Sequence, residues 1–434
     1  MTLLDLTTNW AGLLSLVIFV IAYVLVVFEE STHMRKSKPV MLAAGLIWGL
    51  IGIAYALAGR PEVAHDQVVL IVEEYGELFL FLLVAITYVN AMDERRAFEV
   101  LRAWLVSSGL GYRQLFVLTG VLAFFLAALL DNLTTALVIG SIVMALGRES
   151  HRFVTLGCVS VVVAANAGGA FSPFGNITTL MVWQKGKLEL FEFFTLFLPS
   201  VVNWAVPAAC LYLAVPREKP PPVTERVQGK PGMLGVVFLF GCTIACAVSF
   251  KNFLQLPPAI GMMLGISFLM IYSWYLSRTA AQSPGQERAL DSFSVFARLD
   301  WDTMLFFYGI IFAVGGLGVL GYLSLMSGLL YTDLGPTTAN ILLGILSAII
   351  DNIPLMFAVL TMDPPMSDGQ WLLITLTCGV GGSLLSIGSA AGVALMGQAR
   401  DVYTFMAHLR WSWAVGLGYA ASVATHLWFD ASLF

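Results

Sequence analysis

FLAALLDNLTTALVIGSIV, residues 125–143, places the dipeptide Asp131-Asn132 in the middle of an otherwise apolar run. A second copy of the dipeptide, Asp351-Asn352, occurs 220 residues later in GILSAIIDNIPLMFAVL, residues 344–360. A carboxylate near the centre of a membrane costs at least a few kcal/mol, so it is kept there only beside a partner, an ion or a water-filled cavity. The two copies therefore predict a polar site inside a membrane protein.

A common glycine pattern follows both copies. The pair Gly168-Gly169 is followed six residues later by Gly175 in the first half of the chain, and the pair Gly381-Gly382 is followed six residues later by Gly388 in the second. A repeated acidic element followed by a glycine-interrupted apolar segment is typical of secondary transporters that bind a cation near the bilayer midplane. The repeat therefore predicts a transporter built from two related halves.

The composition agrees with a membrane location. Hydrophobic residues make up 59% of the chain and charged residues 11%, and the mean hydropathy is +0.85. Apolar runs long enough to cross a bilayer as helices recur from one end of the chain to the other. We expect an all-α polytopic membrane protein. The five cysteines lack metal-ligand spacing, and we predict no enzymatic activity, no cofactor and no nucleic-acid partner.

Two of the apolar segments differ from ordinary spans. Residues 114–147 number 34, and as one helix they would extend about 51 Å against a hydrocarbon core of roughly 30 Å. Their flanks are basic and Asp131 lies at their midpoint, which predicts a re-entrant hairpin of two short helices with a polar tip. Residues 337–362 repeat the design between acidic flanks. The other ten segments, predicted to span the membrane, are 10–28, 40–58, 67–91, 153–182, 190–215, 233–250, 257–276, 303–326, 369–397 and 410–430.

Lysine and arginine residues set the predicted orientation. With ten spans and two hairpins, 18 of the 22 basic residues fall on one side, and that side is the cytoplasm by the positive-inside rule. Both termini are then outside, and the two halves, each of five spans plus one hairpin, insert with opposite orientation. We predict a first inverted repeat at 1–215, a cytoplasmic linker at 216–232 and a second repeat at 233–434. The broken helices lie at 153–182 and 369–397.

The two tips and the two broken helices carry the candidate cation ligands. Half-helix ends offer free carbonyl groups and a negative dipole end, Asp supplies a neutralising charge, and Asn, Ser and Thr supply the oxygen atoms that small hard cations prefer. No lysine or arginine occurs in the four interrupted segments. The candidate cation- and proton-binding residues are Asp131, Asn132, Thr134, Thr135, Asn166, Ser172, Asn176, Thr178, Asp351, Asn352, Ser383, Ser386 and Ser389. Na+ itself is expected at Asp131, Asn132, Asn176 and Asp351. Glu73 and Glu77 form a possible accessory acidic pair on one helical face.

These motifs resemble those of NhaD-type sodium/proton antiporters of the ion transporter superfamily. The resemblance is carried by DNLTT (131–135), NAGGAFSPFGNITT (166–179), DNIP (351–354) and GVGGSLLSIGSAAG (379–392), and it extends over nearly the whole chain. It implies an inverted repeat with two hairpins, a homodimeric scaffold in the lipid bilayer and an elevator-like transport domain. Dicarboxylate carriers of the superfamily have Ser-Asn-Thr at their tips where this chain has Asp-Asn, which favours cation exchange.

We therefore expect an antiporter of the bacterial inner membrane that exchanges Na+, or Li+, for H+. A proton and a cation would compete for the same carboxylates. The alternatives are a Na+-coupled carrier of an organic anion, an arsenite-type efflux permease and a membrane assembly component that transports nothing. The first predicts cationic groups at the tips, the second little response to Na+, and the third dispensable Asp131 and Asp351.

Overall fold

The structure is a computed structural model that describes residues 3–220, 227–281 and 292–434. Part of the predicted linker at 216–232 therefore lies outside the described residues. The described chain is helical and contains no strand. In its first half the helices are α1 (Trp10–Val27), α2 (Ser37–Leu57), α3 (Pro61–Glu94), α4 (Ala97–Val106), α5 (Tyr112–Ala127), α6 (Asn132–Leu146), α7 (His151–Ala170), α8 (Ile177–Gln184) and α9 (Phe197–Ala214).

The second half contains a comparable series. Its helices are α10 (Met233–Leu254), α11 (Pro258–Ala281), α12 (Trp301–Leu320), α13 (Pro336–Leu346), α14 (Asn352–Met362), α15 (Asp368–Gly381), α16 (Ala390–Gln398), α17 (Phe405–Leu409) and α18 (Ser412–Phe429). Shorter helical segments occur at Glu29–Thr32, Ser292–Ala297 and Tyr322–Ser327, with 3-10 turns at Glu192–Leu196 and Ala431–Leu433 and a π-helical turn at Gly328–Asp333.

Within the described ranges, seven helical segments are long and apolar enough to cross a membrane, which confirms a polytopic membrane protein. The sequence predicts ten spans, and α3, the interrupted pair α15 and α16, and α18 are not among the seven. Helix α3 carries several carboxylates, the pair is divided into helices of 14 and 9 residues, and α18 is rich in small, aromatic and hydroxyl-bearing residues.

The helices differ in how much protein surrounds them. Helix α7 is 94% buried, whereas α1 and α10 are each only 22% buried. Residues Gly157 to Gly169 of α7 include many small side chains, so neighbouring helices approach α7 closely on every side. The apolar outer surfaces of α1 and α10 suit the lipid phase, while α7 forms the centre of the bundle.

Both predicted hairpin segments consist of two short helices joined at the Asp-Asn dipeptide. Helices α5 and α6 are separated by residues 128–131, and α13 and α14 by residues 347–351. Each second helix begins directly after the aspartate, because Asp131 and Asp351 are the N-cap residues. A carboxylate is among the preferred side chains for accepting the free N–H groups of a first turn.

The glycine pattern seen in the sequence brings the hairpins against the broken helices. A Cβ atom on Gly168 would lie 2.0 Å from the carbonyl oxygen of Phe124, and one on Gly381 would lie 1.9 Å from that of Gly344. Phe124 and Gly344 each precede their hairpin aspartate by seven residues. Since no side chain fits at these contacts, glycine is required for the backbones to approach.

Candidate functional site

Four helix interruptions meet around the two aspartates. They separate α5 from α6, α7 from α8, α13 from α14, and α15 from α16. The helix that follows each interruption has a polar side chain as its N-cap: Asp131, Asn176, Asp351 and Ser389. These residues all belong to the predicted site, and each accepts a hydrogen bond from an N–H group in the first turn of its helix.

The carboxylate of Asp131 is fixed by two hydrogen bonds. Its Oδ1 accepts from the backbone N–H of Thr134 at 2.8 Å, and its Oδ2 accepts from the Thr134 hydroxyl at 2.6 Å. Asp351 accepts from the backbone N–H of Ile353 at 3.3 Å. Both carboxylates therefore sit at the N-terminal ends of helices.

A chain of polar side chains joins the first tip to the second half of the protein. Nδ2 of Asn132 donates to Oδ1 of Asn166 at 2.9 Å, and Nδ2 of Asn166 donates to Oγ of Ser389 at 3.0 Å. Asn166 and Ser389 are buried. The Asn166 amide therefore links Asn132, at the first tip, to Ser389, at an interruption of the second half.

Several buried polar atoms at the interruptions have no hydrogen-bond partner among the described residues. They are Thr135 Oγ1, Asn176 Nδ2, Thr178 Oγ1, Asn352 Nδ2 and Ser386 Oγ. An unsatisfied buried group costs about 1–3 kcal/mol. Buried groups of this kind are normally satisfied by water or a bound ion, so their concentration in one place indicates a region built around such a ligand.

A cavity of about 250 Å³ opens beside the tips. Six of the predicted residues line it: Asp131, Asn132, Thr134, Asn176, Asp351 and Asn352. Apolar side chains of α3, among them Phe81 and Ile86, form one wall. Lys36, Arg298 and Asp300, which belong to loops with many basic residues, also line it. The same cavity is therefore lined both by the carboxylates of the tips and by residues of these loops.

The hydroxyls of Ser383 and Ser172 are engaged within their own segments. Ser383 Oγ donates to the carbonyl of Val380 at 2.6 Å. Ser172 Oγ accepts from the N–H of Phe174 at 3.3 Å. Neither residue lines the cavity, and we attribute to them the shaping of the interrupted backbone. Thr135, Thr178 and Ser386 differ because their hydroxyls have no such partner among the described residues.

Glu73 and Glu77 lie away from the aspartates, in a second cavity of about 230 Å³. This cavity also contains Glu74 and Lys185, which form an ion pair between α3 and the end of α8. Phe357 of α14 and Leu78 of α3 line the part nearest the first cavity. Residues of α3 up to Leu78 line the second cavity, and residues of α3 from Phe81 onwards line the first. The two cavities therefore follow one another along α3.

Tyr23 is a neighbour of the site that the sequence analysis missed. Its side chain lies close to the backbone of Asp351, so α1 approaches the second tip. The sequence did carry a signal, because Tyr23 places a phenol in the otherwise apolar stretch 16–27 of α1. Lys36 and Arg298 were also missed, since both belong to loops that looked like ordinary basic flanks.

A helical bundle whose interrupted helices meet at paired carboxylates defines a secondary membrane transporter. Comparison with known proteins agrees. The family described as "Citrate transporter" (CitMHS) matches residues 11–379. The Na(+)/H(+) antiporter NhaD of Alkalimonas amylolytica is 53% identical over 450 residues, covering 99% of this chain and 93% of that protein. NhaD of Vibrio cholerae serotype O1 is 50% identical over 443 residues, covering 98% and 93%.

A plant protein is similar over most of the chain as well. Sodium/proton antiporter 1 of Arabidopsis thaliana is 34% identical over 426 residues, covering 94% of this chain and 71% of that protein. The chain therefore belongs to the citrate transporter family, CitMHS, and to its NhaD-type antiporters. These relatives confirm the resemblance seen in the sequence, and they confirm a multi-pass membrane transporter rather than an enzyme.

Proposed function

We propose that this protein exchanges Na+ for H+ at a site formed by Asp131 and Asp351. The observation that carries the proposal is the meeting of four helix interruptions at these two carboxylates, beside buried oxygen atoms that have no partner among the described residues. A bound Na+ or a bound proton each neutralises a carboxylate, so the two ions exclude one another. Occupied forms then cross the membrane more readily than the charged empty form, which couples the two fluxes.

The ligands suit a small hard cation. Asp131 and Asp351 supply charge, and Asn132, Asn176 and Asn352 supply amide groups at the same cavity. Thr135, Thr178 and Ser386 offer hydroxyl oxygens at the interruptions around it. Oxygen ligands of this type are those that hard cations prefer. Li+ has the same chemistry, and we propose it as an alternative cargo.

The positively charged side chains at the cavity do not favour an organic anion as the transported solute. Lys36 and Arg298 also line the cavity, but each is engaged by another group. The Lys36 ammonium is 4.5 Å from the ring centroid of Phe306, and Arg298 is 3.8 Å from the carboxylate of Glu94. A carrier of citrate-like anions would need such groups beside the tips, where Asp131 and Asp351 would instead repel the cargo.

We further propose the inverted arrangement of two halves, each with one re-entrant hairpin and one broken helix. Hydrogen bonds and an ion pair at the two ends of the bundle support this arrangement. Ser37 bonds to Asp302 and the N–H of Tyr112 bonds to Glu218, and these pairs join loops assigned to the cytoplasm. Lys185 bonds to Glu74 and Lys251 bonds to the carbonyl of Gln184, and these pairs join segments assigned to the outside.

The assignment of loops to the two sides of the membrane also indicates which side the cavity at the aspartates faces. The cavity at the aspartates is also lined by Lys36 and Arg298 of the basic loops, and the cavity at Glu74 is separate from it. We propose that this is the cytoplasm-facing form of an elevator-like homodimer in the inner membrane, with both termini outside. The hairpins and broken helices would move together against α3.

Proteoliposomes with a preset pH gradient test the function. Adding Na+ or Li+ should dissipate the gradient, with no such effect of K+ at the same ionic strength. In a parallel arm, radiolabelled citrate is offered with and without Na+. Citrate uptake without Na+-dependent proton movement would overturn the proposal and favour the organic-anion carrier.

A further inference from the structure

His408 is a buried histidine outside the cation cavity, and both of its ring nitrogens are engaged. Nε2 lies 2.9 Å from the carbonyl oxygen of Ser383, and Nδ1 lies 2.7 Å from the hydroxyl of Tyr403. The side chains of His408 and Tyr403 are 0% exposed. The contact joins α17 to the interruption between α15 and α16.

These partners fix the tautomer of the neutral ring. A carbonyl oxygen only accepts hydrogen bonds, so Nε2 must carry a hydrogen. In the neutral ring Nδ1 is then the acceptor, and the Tyr403 hydroxyl donates to it. The neutral ring with its hydrogen on Nε2 satisfies both contacts at once.

The carbonyl of Ser383 needs such a donor because helix α15 has ended at Gly381 and α16 does not begin until Ala390. Freed backbone groups at an interruption inside a membrane protein must find partners within the protein. His408 provides one for Ser383, and Ser412 Oγ provides another for the carbonyl of Leu384 at 2.7 Å.

The interrupted segment leads directly to the cation site. Ser386 and Ser389 follow Ser383 by three and six residues. Ser389 contacts Asn166, while the loop that contains Tyr403 is held to α7 by the Thr155 hydroxyl, which donates to the carbonyl of Val402 at 3.0 Å. Ser383, at the start of the segment, is thus tied to α7 through His408 and the loop that contains Tyr403. Ser389, at its end, is tied to α7 through Asn166.

We propose that His408 is a positioning residue for exchange, whose Nε2–H holds the Ser383 carbonyl and so sets the path of the chain towards Ser386 and Ser389. It acts through the backbone and touches no cargo ion. This proposal rests on the proposed Na+/H+ exchange, which the wild-type protein tests separately.

The experiment compares His408→Leu with His408→Gln. Leucine removes both hydrogen bonds, whereas the glutamine amide retains a donor for the carbonyl and an acceptor for the tyrosine. Supporting groups of this kind alter ion affinity by about tenfold or more when lost. His408→Leu should weaken the apparent Na+ affinity by about tenfold, and His408→Gln should restore most of it.

His426 supplies the matched control. It is also 0% exposed, its Nδ1 contacts Asp430 at 2.7 Å, and its Nε2 contacts the carbonyl of Gly369 at the opposite end of α15 at 3.0 Å. His426→Leu should lower thermal stability in detergent and leave the Na+ affinity of the assembled protein unchanged. Equal losses of affinity in both leucine variants would reduce His408 to a packing role and overturn the proposal.

A second readout does not require transport. Hydrogen–deuterium exchange measured by mass spectrometry should rise in a peptide covering residues 382–390 in His408→Leu and not in His408→Gln. Unchanged protection in His408→Leu would also overturn the proposal. Wild-type protein that moves no protons with Na+ would instead refute the proposed function, while this second readout would still report on His408.

Discussion

The side-chain amide of Asn166 donates a hydrogen bond to the hydroxyl of Ser389 at 3.0 Å, joining residues 223 positions apart in the chain. Asn166 lies in α7 of the first half, and Ser389 begins α16 of the second half. The same amide accepts from Asn132 at the first tip. One buried side chain therefore makes the geometry of the first tip depend on the second half of the protein.

Asn166→Leu should weaken the apparent Na+ affinity by about tenfold, because both hydrogen bonds are lost and Asn132 is left without its acceptor. The measurement is the Na+ concentration for half-maximal dissipation of a pH gradient in proteoliposomes. Asn340→Leu is the control, since Asn340 is also buried and donates to Gln370 of α15 away from the cavity. A similar loss of affinity in both variants would contradict a specific role for Asn166.

Asp131→Asn and Asp351→Asn should each abolish or severely impair Na+-dependent proton movement while the protein still inserts and assembles. The substitution keeps the size of the side chain and removes the charge that both ions need. Size-exclusion chromatography checks assembly, and Asp363→Asn serves as a control carboxylate outside the cavity. Normal exchange by both hairpin variants would exclude the shared-carboxylate mechanism.

Competition between the two ions predicts how the Na+ affinity depends on pH. Below the pH at which the site takes up its proton, the apparent affinity should weaken by up to about tenfold per pH unit for each proton displaced. The affinity is recorded over about three pH units, with matched buffers on both sides of the bilayer. An affinity that stays constant with pH would indicate separate proton and sodium sites, and the cavity at Glu73 and Glu77 would be the first place to look.

Breaking the ion pair between Lys185 and Glu74 should favour access from the outside, because that pair joins α8 to α3 at the second cavity. Lys185→Glu alone should speed alkylation of a cysteine placed at Thr134 by an impermeant reagent added outside, in a background without native cysteines. The exchanged pair Lys185→Glu with Glu74→Lys should restore the slow rate.

The pair of Lys187 with Asp363 gives the control for this experiment. It joins the ends of α8 and α14, two helices that we assign to the same moving group. Lys187→Glu should therefore leave outside access unchanged. Labelling that increases equally in both lysine variants would mean that general loosening, and not the α8–α3 contact, controls access.

Gly381→Ala should prevent correct assembly or lower the melting temperature strongly, because its Cβ would lie 1.9 Å from the carbonyl oxygen of Gly344. Backbone atoms cannot yield as a flexible side chain can, so the cost is at least the 1–3 kcal/mol or so typical of overpacking. Gly397→Ala is the matched helical control, with no atom within 4 Å of its Cβ. A normal melting temperature for Gly381→Ala would show that the hairpin contact is loose.

The positions of the interruptions could be predicted because each has a local signal in the sequence. Polar residues and glycines within apolar runs marked Asp131, Asp351 and the two broken helices, and the helices observed there end within a few residues of the expected places. The class of transporter followed from those residues and from their resemblance to known antiporters.

Contacts between distant segments could not be predicted. Nothing near Tyr23 in the chain indicates that its side chain lies close to the backbone of Asp351, 328 residues away. Likewise, Ser383 and Ser386 look alike in the sequence, and only the fold distinguishes the engaged hydroxyl from the one without a partner among the described residues. Hydrogen-bond satisfaction is a property of the packed structure rather than of residue type.

The glycine contacts at Gly168 and Gly381 have an evolutionary consequence. They fix the backbone of the hairpins against the broken helices by the absence of side chains, whereas the ion chemistry resides in the side chains at the tips. Ancestral proteins could therefore exchange one tip residue for another and acquire a new cargo without rebuilding the frame. A single lineage could in this way diversify into carriers of oppositely charged solutes, while an alanine at either glycine would be eliminated in all of them.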